Sequence, residues 1–85
     1  MDTRLWVDGF PSCFTDDELR ALFSRHGTVL SATIVKDARG QSLEFGYVEM
    51  STPHEACSAI RQLHRTYFYG SVLLVSLNKR GTGSR

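Results

Sequence analysis

Alternation of apolar and polar residues predicts four short β-strands in this chain. In the first strand, Leu5 and Val7 alternate with Trp6 and Asp8, so the two pairs point to opposite faces of a sheet. The same period of two recurs around Phe45, and β-branched residues are frequent in two further segments. The predicted strands cover residues 5–8, 28–36, 43–50 and 72–77.

Two segments between these strands have apolar residues at helical spacing, and both begin with a capping signal. Thr15 and Glu18 have the spacing of a capping box, and Gly27 is expected to end the first helix in a left-handed conformation. Thr52 and Glu55 form a second capping pair in front of the second helix. The predicted buried stripes are Leu19, Leu22 and Phe23 in the first helix and Ala56, Ala59, Ile60 and Leu63 in the second.

The predicted order of elements is therefore βαββαβ. Each helix has one apolar stripe, so both should pack on the same face of a four-stranded antiparallel sheet, which is an α+β fold of the ferredoxin-like type. Residues 1–80 are predicted to form this domain and residues 81–85 a flexible polar tail. The aromatic segment 67–70 is predicted to be a turn before the last strand.

The sheet face that the helices leave open carries aromatic residues where polar ones are expected. Because Leu5 and Val7 occupy the core face, Trp6 must point the other way, and the same alternation turns Phe45 and Tyr47 outward. Phe45 and Tyr47 are two residues apart, which separates their rings by about 6.5–7 Å along the strand. Exposed rings at this spacing can stack on the bases of a single-stranded nucleic acid.

The residues around these rings resemble two signatures of the RNA recognition motif family. Residues 43–50, LEFGYVEM, are similar to the family's third-strand octamer, and residues 5–10, LWVDGF, are similar to its first-strand hexamer. The resemblance covers nearly the whole chain, including the end of the first helix and the segment before the last strand. It implies a domain that binds single-stranded RNA by stacking bases on Trp6, Phe45 and Tyr47, without a cofactor.

The charge of the chain changes the expected strength of binding. The net charge is only +1, so charge alone does not predict a nucleic-acid partner. Leu43 occupies the octamer position that is usually basic, and Glu44 replaces a glycine. Asp8 and Glu49 place negative charge on or beside the rings, although a carboxylate can also accept a hydrogen bond from a base. We therefore expect moderate affinity and a shallow dependence on salt.

Residues at the margins of the sheet complete the predicted RNA-binding site. Basic side chains near the strand ends and in the hairpin loop are expected to hold the RNA backbone, and two polar residues of the last strand to hydrogen-bond base edges. The basic set is Arg4, Lys36, Arg39, Lys79 and Arg80, and the polar pair is Ser76 and Asn78.

Other functions and partners are predicted less well by the sequence. A protein-interaction module on the same fold is the alternative function, and single-stranded DNA or a protein is the alternative partner. An acyl-phosphate hydrolase on such a scaffold would need an arginine in a phosphate-binding loop, and residues 9–14 contain none, so we expect no enzyme. No signal peptide or membrane span is predicted, and we expect an intracellular monomer that does not bind membranes.

Cysteine and histidine are not arranged as metal ligands or catalytic groups in this sequence. Cys13 and Cys57 are far apart in sequence and form no Cys-x-x-Cys pair, so we expect half-buried reduced thiols. The histidines are expected on the surface, away from the rings, and they are His26, His54 and His64. We therefore expect neither a metal nor a cofactor.

Overall fold

The computed structural model describes residues 3–68 and 70–77, and the predicted helices and strands are all found there, with small shifts at their ends. The elements are β1 (Arg4–Asp8), α1 (Asp16–Ser24), β2 (Val29–Lys36), β3 (Ser42–Met50), α2 (Pro53–Leu63), β4 (Thr66–Phe68) and β5 (Ser71–Leu77).

The strands form one antiparallel sheet in the order β2-β3-β1-β5-β4. The prediction of four strands is wrong by one, because residues 67 and 68 of the segment predicted to be a turn belong to β4. Thr66 and Tyr67 have the β-branched and aromatic side chains that suit a strand. Gly70, at φ +82°, turns the chain so sharply that Phe68 already pairs with Ser71.

Both helices pack on the same face of the sheet, as the sequence predicts. Helix α1 lies over β2 and β3, and α2 lies over β5 and β3. The core between these layers contains the inward residues of the central strands and the predicted helical stripes. Its fully buried members include Leu5, Val7, Val48, Leu19 and Phe23. This arrangement leaves the opposite face of the sheet without a helix in the described part of the chain.

The predicted capping residues begin both helices. Thr15 and Glu18 form the complete capping box, in which each side chain accepts from the other residue's backbone N–H. The Thr52 side chain accepts from the backbone N–H of Glu55, at 3.2 Å. The Glu55 carboxylate accepts a hydrogen bond from the Ser51 hydroxyl, and this bond is the main reason that the pKa of Glu55 is lowered.

Side chains of α1 cover the outer edge of the sheet at β2. The backbone N–H of Ile34 donates to Oδ1 of Asp16 at 2.9 Å, and Nη1 of Arg20 donates to the carbonyl of Val29 at 3.0 Å. An edge strand with unpaired backbone groups can pair with another chain. Asp16 and Arg20 occupy such groups and fix β2 against the helix.

Gly46 allows β2 and β3 to approach closely. A Cβ atom at this position would collide with the backbone carbonyl of Thr33. The pairing of β2 with β3 also shifts register on both sides of the Thr33–Tyr47 pair. Gly46 thus allows β3, the strand that carries Phe45 and Tyr47, to pack closely against β2.

His64 has a structural role that the sequence does not reveal. It is exposed, as predicted, but its Nδ1 accepts a hydrogen bond of 3.0 Å from the backbone N–H of Val75. Strand β4 pairs with β5 only from Thr66 to Phe68, so the imidazole supplies an acceptor just beyond the end of that pairing. His64 therefore extends the hydrogen bonding of β5 by a side chain.

The structure corrects the expected burial of the cysteines. Cys13 and Cys57 are both exposed free thiols, because Cys13 lies in the loop before α1 and Cys57 on the outer side of α2. Within residues 3–68 and 70–77 no group of three or more histidine, cysteine or acidic residues is placed to hold a metal ion. No helix in this part of the chain has the length and apolar character needed to cross a membrane.

Candidate nucleic-acid interface

The three predicted aromatic residues lie together on the open face of the sheet. Trp6 is on the central strand β1, and it pairs directly with Tyr47 on β3, while Asp8 pairs with Phe45. Their neighbours along the strands, Leu5, Val7, Gly46 and Val48, are buried, and the three rings are half-buried. The alternation in the sequence therefore predicts the correct face for each ring.

The rings form one packed group, which we call the aromatic cluster (Trp6, Phe45 and Tyr47). The Trp6 and Phe45 rings are stacked with centroids 4.5 Å apart and an interplanar angle of 20°. The Trp6 and Tyr47 rings meet edge to face, at 5.4 Å and 75°. Both geometries are favourable for aromatic pairs and contribute about 0.5–1.5 kcal/mol each beyond burial. The sequence predicts that the three rings share one face, and the structure adds that Trp6 contacts both of the others.

Arg4 and Glu49 are paired with each other beside the aromatic cluster. Nε of Arg4 donates to Oε1 of Glu49 at 3.3 Å, and the Thr3 hydroxyl donates to Oε2 at 2.6 Å. The hydrogen bond from Thr3 is the main reason that the pKa of Glu49 is lowered; desolvation opposes this shift, and the Arg4 guanidinium adds to it. The sequence predicts that both residues contact RNA, but in the structure the charge of each is compensated by the other.

Asp8 differs from Glu49, although both carboxylates are on the open face. Asp8 pairs with Phe45 on one side and with Leu74 on the other. Among the described residues it makes neither a hydrogen bond nor an ion pair. Ser76, which was predicted to contact a base, is exposed on β5 directly opposite Trp6.

The basic residues of the β2–β3 region lie in two different environments. Arg39 is exposed in a tight loop, where Oδ1 of Asp37 accepts from the backbone N–H groups of Arg39 and Gln41, both at 2.9 Å. Lys36 lines a polar cavity next to the start of α1, together with Asp16. The structure therefore places Lys36 beside the first helix. Three further predicted site residues lie outside the described part of the chain, and they are Asn78, Lys79 and Arg80.

The open face also carries apolar residues that were not among the predicted site residues. Leu74 and Val72 on β5 are 43% and 41% exposed, and Tyr67 on β4 is 81% exposed. Tyr67 pairs directly with Val72, so their side chains share a face. The outward position of Leu74 follows from alternation in β5. The position of Tyr67 does not follow from the sequence, because alternation applies only to strands and its segment is predicted to be a turn.

Comparison with known proteins identifies the family of the chain. The chain is 35% identical over 78 residues to polyadenylate-binding protein 7 of Arabidopsis thaliana, and 39% identical over 84 residues to scaffold attachment factor B1 of Mus musculus. These matches cover 92% and 96% of this chain but only 13% and 9% of the relatives, so the chain spans about a tenth of their length.

Solved structures with the same fold include a protein bound to RNA. The Sxl-lethal protein–RNA complex superposes with a TM-score of 0.90 at 28% sequence identity, and the match covers 98% of this chain and 50% of that chain. A sequence model of the RNA recognition motif matches residues 5–74. This chain therefore belongs to the RNA recognition motif family.

Proposed function

We propose that this domain binds single-stranded RNA on the open face of its sheet, with bases stacked on the aromatic cluster. The observation that carries the proposal is the position of Trp6, Phe45 and Tyr47 on the face opposite both helices. Soluble proteins rarely expose such a group of rings without a ligand. Stacking a base on an aromatic side chain contributes about 1–3 kcal/mol and tolerates any base, because every base has a π face.

The geometry of the cluster determines how bases can reach it. Because Trp6 and Phe45 stack on each other, each of these two rings covers part of one face of the other. A base can stack on the outer face of the pair, or it can enter between the two rings at the cost of their mutual stacking. The choice of RNA over single-stranded DNA rests on the family rather than on the rings.

The polar part of the proposed site lies around the cluster. In this proposal, Arg39 in its tight loop contacts a phosphate, and Ser76, which pairs with Trp6, contacts a base edge. Arg4 can reach a phosphate once it is released from its ion pair with Glu49. The proposal extends to Lys36, Asn78, Lys79 and Arg80 as further contacts to the RNA.

The proposal is tested by titrating the protein with short RNAs of mixed sequence. Trp6 is the sole tryptophan, so its fluorescence reports directly on the cluster. The single variants Phe45→Ala and Tyr47→Ala should each weaken binding by about 1–3 kcal/mol. Arg61→Ala, which removes an exposed charge from α2, serves as the control and should bind like the wild type.

Two outcomes would contradict the proposal. Equal binding of the wild type and the Phe45→Ala, Tyr47→Ala double variant would show that the cluster does not hold the RNA. NMR shifts confined to α1 and α2 during the titration would place the contact on the helices, as expected for the alternative protein-interaction function. Circular dichroism spectra of the variants would verify that the fold is retained.

A further inference from the structure

Asp8 lies next to the ring on which a base is proposed to stack, and no group in the described part of the chain satisfies it. It is the last residue of β1, and its side chain is half-buried on the open face. Directly paired residues on neighbouring strands have Cβ atoms about 4.5–5.5 Å apart. The carboxylate is therefore beside the Phe45 ring on β3 and the Leu74 side chain on β5.

The surroundings of Asp8 favour a hydrogen bond to a ligand. Phe45 and Leu74 flank it across the sheet, and Trp6 precedes it on the same face of β1. Apolar neighbours exclude water and strengthen a hydrogen bond to a charged group. The contrast with Glu49, whose oxygens already accept from Thr3 and Arg4, is direct, because the oxygens of Asp8 are available in the described structure.

A carboxylate offers only acceptors, so it distinguishes bases by their donors. The Watson–Crick edge of guanine has two adjacent donors, N1–H and the N2 amino group, which match the two oxygens of a carboxylate. Adenine and cytosine each present one amino group beside an acceptor nitrogen. Uracil presents one N–H between two carbonyl oxygens, and both oxygens would be repelled by the carboxylate.

We infer that Asp8 makes this domain select guanine, and disfavour uracil, at the base stacked beside Phe45. The inference rests on the proposed function, since it needs a base on the aromatic cluster. A bidentate contact of this kind corresponds to a preference of about tenfold, near the lower end of the range for base-edge contacts. The preference comes from one side chain and is independent of the phosphate contacts.

The test uses the all-uridine hexanucleotide as the reference. It is compared with hexanucleotides in which one central uridine is replaced by guanosine, inosine, adenosine or cytidine. Trp6 fluorescence gives the dissociation constants for the wild-type domain. Guanosine should raise the affinity about tenfold over uridine. Inosine lacks the N2 amino group and should lose a large part of this gain. In the Asp8→Asn variant, guanosine and uridine should bind within about threefold of each other.

Glu49→Gln is the matched control, because it removes the same charge from the same face at a carboxylate that already has partners. It should shift the affinities for all hexanucleotides in parallel and keep the preference for guanosine. The inference is overturned if the wild type binds every hexanucleotide equally, or if Asp8→Asn keeps the full preference. If the wild type shows no fluorescence response and retains no RNA, the proposed function is overturned instead, and this inference with it.

Discussion

Replacing Glu49 by glutamine should strengthen RNA binding and make it more sensitive to salt. In the structure, Glu49 holds Arg4 through the Nε–Oε1 contact of 3.3 Å and places a negative charge two residue pairs away from the Trp6–Tyr47 pair. Glutamine has nearly the same shape and still accepts from Thr3, but it carries no charge. The substitution therefore releases the Arg4 guanidinium while leaving the strand pairing in place.

The magnitude follows from the exposure of the pair. The side chains of Arg4 and Glu49 are 52% and 28% exposed, so their ion pair is worth about 0.2–1 kcal/mol. Removing a negative charge about 10 Å from a phosphate relieves about 0.4 kcal/mol of repulsion in water, and less when salt screens it. Together these terms favour binding by about 0.5–1.4 kcal/mol, or about two- to tenfold. If Arg4 then contacts one phosphate, the slope of log affinity against log salt becomes steeper by about 0.7.

The assay measures RNA affinity by Trp6 fluorescence at several salt concentrations between about 50 and 200 mM. Two further variants complete the experiment. Combining Arg4→Ala with Glu49→Gln should abolish the change in slope, because the freed guanidinium is then missing. Glu44→Gln removes an equal charge from the same strand, and it should change affinity slightly without changing the slope. Weaker binding by Glu49→Gln with an unchanged slope would contradict the prediction that Glu49 holds Arg4 away from the RNA. It would instead assign Glu49 a direct contact to a base.

Three further predictions concern the stability of the fold. Gly46→Ala should destabilise the domain by about 1–3 kcal/mol, because the added methyl group collides with the Thr33 carbonyl, and a melting temperature equal to that of the wild type would contradict this. His64→Ala should lower the free energy of unfolding in urea by about 1 kcal/mol, because the Val75 N–H loses its acceptor, whereas an unchanged value would mean that water replaces the imidazole. The folded state lowers the pKa of Glu55, so its contribution to stability is present above the ordinary value of 4.5 and is lost as the pH falls below it. Thermal denaturation over that range should therefore show a weaker pH dependence for Glu55→Gln than for the wild type.

The face on which each ring lies could be predicted from the sequence, because it depends only on the alternation of neighbouring residues. Because Leu5 and Val7 are buried, Trp6 between them must lie on the opposite face of the strand. The buried Val48 likewise places Tyr47 on the open face. Strand β4 could not be predicted in this way. It is three residues long, and it pairs with β5 only because the chain turns sharply at Gly70. The sequence is equally compatible with a longer loop at this position, in which no strand would form.

Contacts within the site depend on register, which no local pattern specifies. Arg4 and Glu49 are 45 residues apart in sequence, and they meet because Arg4 pairs directly with Glu49 across β1 and β3. The stacking of Trp6 on Phe45 has the same origin, since Trp6 pairs with Tyr47 and reaches Phe45 as its diagonal neighbour. The sequence can therefore identify these residues as candidates for the site, but only the register of the paired strands shows which of them interact.

The same register changes the meaning of the low net charge. A count of charges treats Asp8 and Glu49 as equal obstacles to RNA, but Arg4 compensates Glu49 and no described residue compensates Asp8. Among the described residues, Asp8 is thus the uncompensated carboxylate on the open face, and it lies beside the Phe45 ring, where the proposed ligand places a base rather than a phosphate. A carboxylate at that point costs little in backbone binding and discriminates strongly among base edges. Under the proposed function, stacking would supply most of the affinity of this domain, and Asp8 would supply its selectivity.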